Sequence, residues 1–218
     1  MQPLQRGSRY LFARLKTSDE IVDSEKGATH QVITGIDEVG YGSLAGPVTV
    51  AACMLDPEKP IEGIKDSKAF SSHTKRASVA QTIRENAAAY SISFRPNTLI
   101  DEIGIVGALQ EAIRECVANL AVKPDRILID GTPFKTSLDL SEEYIVKGDA
   151  TVPCISAASI LAKVARDEFM MQLAHKHPEY ACYDFAQNKG YGTLAHRTAI
   201  KTNGLCPIHR RCYCTNLI

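Results

Sequence analysis

The chain has 218 residues, 44% hydrophobic and 23% charged, with 25 basic and 25 acidic side chains. These proportions exclude a disordered chain and give enough apolar material for one packed domain without covalent staples. No apolar run is long enough to cross a bilayer, and the opening MQPLQRGSRYLFARLK lacks the apolar core of a secretory signal, so a cytoplasmic protein with no membrane partner is expected.

Residues 1–30 read as a polar extension of weak periodicity, and residues 31–218 as the folded domain. Gln31–Ile36 reads as a strand that stops at an acidic pair. Pro47–Leu55 reads as a longer buried strand, and Gly40, Gly42 and Gly46 between the two favour a turn and an antiparallel hairpin. Ser72–Ala88 predicts a helix with Val79, Ala80, Ile83 and Ala87 on one face. Tyr90–Phe94 alternates like a third strand. Val106, Leu109, Ile113, Cys116, Val117 and Leu120 follow helical spacing over Ile105–Leu120, and Lys123-Pro124 ends that helix. Arg126–Asp130 is a short apolar strand closing on a carboxylate, and Glu143–Lys147 reads as a fifth strand. Pro153 opens a long helix through Lys176, rich in Ala and Ser. A last helix is expected over Thr193–Thr202, stopped near Asn203-Gly204. This order argues for an α/β fold with a mixed sheet.

Seven cysteines at irregular spacing read as reduced thiols, with Cys53, Cys116 and Cys154 as small core residues. The tail holds Cys206, His209, Cys212 and Cys214, without the paired C-x₂₋₄-C spacing of a structural zinc site. Charge is unevenly spread. Residues 1–150 carry 17 bases and 21 acids, whereas 151–218 carry 8 bases and 4 acids. An acidic metal site beside a polyanion-binding face produces such a split, and so does chance asymmetry on a soluble surface.

Four short segments carry candidate chemistry. In Gly35-Ile36-Asp37-Glu38-Val39-Gly40-Tyr41-Gly42 two carboxylates leave a buried strand. Neighbouring side chains of an extended chain point to opposite faces, so both serve one site only if the strand breaks there. The glycines run G-x-G-x-x-x-G, one residue too long for a dinucleotide-binding loop, and a strand follows instead of a helix. Asp130-Gly131 closes a second strand. Asp149, in Val146-Lys147-Gly148-Asp149, precedes the Pro153 helix. Two unit charges ~4 Å apart repel by about 4 kcal/mol at an effective dielectric near 20, so gathered anions call for cations. Oxygen ligands select Mg²⁺ or Mn²⁺, and two such ions suit phosphodiester hydrolysis without a protein nucleophile. The fourth segment, Asn188-Lys189-Gly190-Tyr191-Gly192-Thr193, is a tight turn before a helix, with a cation and a ring suited to phosphate and sugar or base. Pro207-Ile208-His209-Arg210-Arg211 is expected to add an exposed basic patch.

Taken in order, GIDEVGYGSLAGPV (35–48), DSK (66–68), ILIDG (127–131), VKGD (146–149), ISAASILAKVARD (155–167), NKGYGT (188–193) and PIHRR (207–211) resemble the ribonuclease HII family. The resemblance covers residues 31–211. It implies a ribonuclease H-like fold, a five-stranded mixed sheet flanked by helices with a C-terminal helical portion. It also implies an endonuclease that cuts the RNA strand of RNA–DNA hybrids and nicks 5′ of ribonucleotides embedded in duplex DNA, leaving 3′-hydroxyl and 5′-phosphate ends. By resemblance, Asp37, Glu38, Asp130 and Asp149 hold the catalytic Mg²⁺ or Mn²⁺, with Asp37 central. Gly40, Tyr41 and Gly42 correspond to a loop that reads the ribose 2′-hydroxyl through backbone, and Tyr191 packs on the sugar beside the scissile phosphate. Lys68 and Lys189 are candidate phosphate contacts. Tyr41 stands where the family has arginine. The related ribonuclease HIII carries a large N-terminal substrate-binding domain that thirty residues cannot form. A monomer is expected, and no motif supports a sliding-clamp contact. Asp101, Glu102, Asp139, Glu142 and Glu143 match no motif and read as solvated; Asp167 reads as pairing with a neighbouring base, outside the metal ligands.

Overall fold

A computed structural model describes residues 31–62, 64 and 72–218. The N-terminal extension and Lys68 lie outside the described residues. Five strands, β1 (Ile33–Val39), β2 (Val48–Met54), β3 (Ala89–Arg95), β4 (Arg126–Asp130) and β5 (Ser141–Ile145), form one mixed sheet in the order β3-β2-β1-β4-β5. β1 and β2 form the expected antiparallel pair and β2 pairs β3 the same way, while β4 runs parallel to both β1 and β5.

All seven residues of β2 are buried, so its two faces define two cores. Val48, Val50, Ala52 and Met54 pack with Ile36 and Ile129 beneath α2 (Asn97–Ala118), which contributes Leu109, Ala112, Ile113 and Cys116. Ala51 and Cys53 face α1 (His73–Asn86) and α4 (Pro153–Lys176). Ser72 caps α1, its hydroxyl accepting from the Lys75 amide at 3.2 Å. The small residues Ala157, Ala158 and Ala162 let α4 close on the sheet. The tightest approach is at Gly35, where a Cβ would stand 2.2 Å from the Cys154 carbonyl carbon. Any side chain there would push α4 off β1.

Of the boundaries that differ from the sequence reading, three stand out. β1 does not stop at the acidic pair but continues through Val39, because β2 pairs with it as far as Val39↔Thr49. β5 begins two residues earlier, where it pairs with Arg126. α2 starts at Asn97, and Gly104, at φ 75°, breaks the helical pattern after its first turns. After α4 come a 3₁₀ turn (Pro178–Tyr183), α5 (Phe185–Asn188), α6 (Leu194–Asn203) and α7 (Arg211–Cys214). A four-residue helical turn, α3 (Gly148–Thr151), precedes α4. Leu44 and Ala45, from the β1–β2 connection, pack into a small C-terminal core with Met170, Tyr183, Phe185, Ile200 and Cys214.

Candidate active site

Asp37 pairs with Ala51 across the sheet and therefore lies on the α4 face. It is only 6% exposed and bonds the Ser159 side chain on α4. Glu38, opposite Val50, leaves from the other face. The strand break expected between them is absent. They interact because β4 ends at Asp130: the parallel register runs only to Ile36↔Ile129, so Asp37 and Glu38 extend past the paired portion. On that side the Glu38 amide donates to Asp37 Oδ1 at 2.8 Å. Asp130 lies close enough for its charge to act on both acids. Asp149 joins through its amide, which donates to Asp130 Oδ1 at 3.2 Å, while Ser156 Oγ donates to the Asp149 carbonyl at 2.6 Å. Gly148 fits between Ile155, Ile145 and Asp130, where a Cβ would come 2.7 Å from Ile155 Cδ1.

Burial, with the charges of Glu38 and Asp130, pushes the Asp37 carboxyl up to about 8 against the lowering effect of Ser159. Burial and Asp130 push Glu38 up to about 7. Both carboxylates are thus costly as anions where the chain holds them, and a bound cation would remove the cost. Among the described residues no three His, Cys, Asp or Glu side chains are already closed around a metal-sized space. The donor set is all carboxylate oxygen, which suits a hard divalent ion.

The connection Gly40–Pro47 is fastened from behind by two arginines with no exposed surface. Arg166 on α4 donates to the carbonyls of Pro47 (2.9 Å), Ala45 (3.1 Å) and Lys189 (2.9 Å). Arg210 donates to those of Gly46 (3.0 Å) and Tyr41 (2.8 Å). Burial pulls both guanidinium pKa values down, Arg210 to about 10. Gly40, at φ 87°, is pressed so close to Arg166 that a Cβ would lie 2.2 Å from Nε. Leu44 and Ala45 amides donate to the Gly190 carbonyl at 2.8 and 3.2 Å, tying this loop to the Tyr191 turn. The Tyr41 side chain is 47% exposed. The Tyr191 ring is half-buried, with Lys163 Nζ 5.6 Å and Arg166 Cζ 5.2 Å from its centroid. The Lys189 ammonium bonds the Ala186 carbonyl.

The tail is not the exposed patch its composition suggests: His209 and Arg210 are buried and only Arg211 of the three is exposed. Hydropathy alone sends arginine outward, but here backbone carbonyls of a distant loop receive it. Arg166 had a visible signal, a cation on the apolar stripe of a helix four residues after buried Ala162. Ser156 and Ser159 sit in the same Ala/Ser run. Several acids read as solvated have partners. Asp101 accepts from the Arg211 and Cys212 amides, both at 3.0 Å; Glu142 bonds Thr136 and Tyr144; Glu143 pairs with Arg126. Asp167 pairs with Lys163 at 2.7 Å, as expected.

A mixed five-stranded sheet with flanking helices and acids gathered where its central parallel strands end is a ribonuclease H-like architecture. The family model for Ribonuclease HII matches residues 34–216. The chain is 45% identical to Ribonuclease HII of Maricaulis maris over 181 residues, 83% of this chain and 81% of the relative. It is 45% identical to Ribonuclease HII of Polynucleobacter necessarius over 83% of this chain and 91% of that one. The RNase HII of the PCNA:RNase HII complex from Archaeoglobus fulgidus superposes with a TM-score of 0.71 at 26% identity, covering 85% of this chain and 96% of that chain. The chain belongs to the ribonuclease HII family: it is a ribonuclease H, an endonuclease that hydrolyses the RNA strand of RNA–DNA hybrids.

Proposed function

We propose that this ribonuclease H also nicks duplex DNA on the 5′ side of single embedded ribonucleotides, by two-metal-ion hydrolysis that leaves 3′-hydroxyl and 5′-phosphate ends. The observation that carries the reading is Asp37, buried where β1 runs past the end of its pairing with β4, beside Glu38 and Asp130, and pushed to about 8 when no cation is near. Asp37, Glu38, Asp130 and Asp149 are the proposed ligands. Mg²⁺ or Mn²⁺ bound there would activate water and stabilise the leaving oxygen.

The remaining work falls to the chain. Gly40-Tyr41-Gly42 offers backbone groups to the ribose 2′-hydroxyl, and Tyr191 offers a ring to the sugar. The Leu44 and Ala45 bonds to Gly190 keep these two readers at a fixed separation. Lys189 keeps further ammonium protons for a phosphate beyond its bond to Ala186. Tyr41 in place of the family arginine does not dismantle the loop, because Arg210 holds that residue by its carbonyl.

The test offers a DNA duplex with one ribonucleotide, an RNA–DNA hybrid and an all-DNA duplex, each with Mg²⁺, Mn²⁺ or chelator. The expected result is one cut 5′ of the ribonucleotide, cation-dependent, with the all-DNA duplex intact. Equal cutting of all-DNA duplex, or cutting in chelator, defeats the reading.

A further inference from the structure

Tyr191 is held by a chain of hydrogen bonds that passes through two buried histidines. His196 Nδ1 lies 2.9 Å from the Tyr191 carbonyl oxygen, and His196 Nε2 lies 3.0 Å from His209 Nε2. His209 Nδ1 faces the Cys206 amide at 3.0 Å. His196 is 0% exposed and His209 1%. A carbonyl oxygen has no proton to give, so His196 Nδ1 must carry one. In a neutral ring Nε2 is then the acceptor, which requires the proton of the shared contact to sit on His209 Nε2. His209 Nδ1 is left as an acceptor, and the Cys206 N–H supplies its donor. The Cys206 thiol, 3.1 Å away, also faces Nδ1, and the Cys206 carbonyl at 3.3 Å is the more distant contact. The opposite assignment sets two lone pairs against each other at Tyr191. One tautomer of each ring satisfies every bond except the longer contact with the Cys206 carbonyl.

The surroundings favour neutral rings. Tyr183 and Phe185 pack their rings on both histidines, with Tyr183 4.7 Å and Phe185 5.6 Å from His209 between centroids. The nearby titratable groups are the Tyr183 phenol and the Cys206 thiol, and Arg197 and Arg210 are the next residues in the chain. None of the described carboxylates bonds either ring. Burial lowers the pKa of both, His209 to about 4.

We infer that His196 and His209 are positioning residues: a relay of fixed tautomers that anchors the Tyr191 turn to the Cys206 turn and acts on the reaction through substrate binding at Tyr191. The inference rests on the reading of Tyr191 as a substrate contact. It makes two predictions that a merely space-filling pair of rings does not. The first concerns tautomers. Nitrogen-15 spectra of the neutral wild-type protein should show His196 protonated at Nδ1, the less common form, and His209 protonated at Nε2. The second separates two near-isosteres. In H196N the amide nitrogen takes the place of Nδ1 and keeps the bond to Tyr191. In H196Q the amide reaches His209 but not Tyr191. H196Q is expected to raise KM for the ribonucleotide duplex about fivefold with kcat retained, and H196N to stay near the wild-type KM. Thermal melts establish that both variants are folded.

His196 protonated at Nε2 overturns the relay outright, even if no variant folds. Equal KM in H196Q and wild type, or equal loss in both variants, overturns its role in binding. Tyr191→Ala separates the two layers. If that change leaves KM untouched while the tautomers are as stated, the reading of Tyr191 has failed and the functional half of the inference falls with it.

Discussion

Asp130 and Asp149, nineteen positions apart in the chain, are joined by a 3.2 Å hydrogen bond from the amide of the second to Oδ1 of the first. The bond uses one carboxylate oxygen of Asp130 as a structural acceptor and leaves the other for chemistry. The two roles can be separated by substitution. Asp130→Asn keeps an oxygen that can accept from Asp149, so the protein should fold with its melting temperature nearly unchanged. Its cleavage of a hybrid should fall by at least about a hundredfold, beyond the usual cost of losing a group that only orients a ligand. Asp130→Ala removes the acceptor as well and should be less stable than Asp130→Asn. Normal cutting by Asp130→Asn would remove that residue from the ligand set.

Asp37 gives a prediction with the opposite sign for stability. A carboxyl whose folded pKa is raised, from 3.8 to about 8, binds its proton more tightly in the folded state. Folding stability of cation-free protein therefore falls as pH rises through that window. Asp37→Asn removes this cost. In chelator at pH 7.5 it should be more stable than wild type by at least about 1 kcal/mol, since each tenfold of displaced proton affinity is worth about 1.4 kcal/mol. It should also be inactive. Urea unfolding of both proteins, with chelator and with Mg²⁺, makes the comparison. A destabilised Asp37→Asn in chelator would contradict it.

Arg166 serves three carbonyls from two separate segments of backbone. Arg166→Met keeps much of the aliphatic stem but strands those acceptors in a buried setting, each worth about 1–3 kcal/mol. A loss of at least about 3 kcal/mol in urea unfolding is expected. Arg166→Lys should recover only part of it, because one ammonium does not reproduce the planar fork. Full recovery by lysine would show that charge, not geometry, matters there.

The histidine pair predicts a specific acid sensitivity. His209 has a folded pKa of about 4, below the 6.5 of a free ring. The unfolded chain therefore takes up a proton first as pH falls below about 6.5, and the stability contributed by the neutral ring is lost progressively down to about pH 4. Against His209→Asn, the wild-type advantage in unfolding free energy should shrink by roughly 1–3 kcal/mol between pH 7 and 4.5. A constant difference across that range would mean that the ring is not held neutral.

The fold was readable where one physical pattern dominated. Arg126–Asp130 and Pro153–Lys176 have their expected limits because an apolar run ends abruptly in the first and proline opens the second. The four acids were legible as carboxylates at strand ends or just beyond them, but the meeting of Asp37 with Glu38 was read through the wrong device. A break in β1 is unnecessary when the neighbouring strand is simply shorter. The buried tail was illegible for a different reason. Nothing local to Arg210 reveals partners at Tyr41 and Gly46, well over a hundred residues earlier, and arginine is outward by habit. Asp101 was missed in the same way, since its role as acceptor for the α7 amides exists only once the chain has returned to it.

The dependence of the Gly40–Gly46 loop on Arg210 also sets an order of events during synthesis. Every proposed carboxylate ligand has been translated by residue 149, yet the loop beside them acquires the Arg210 fastening only once residue 210 has left the ribosome. A nascent chain would thus carry the acids before the loop beside them is fastened.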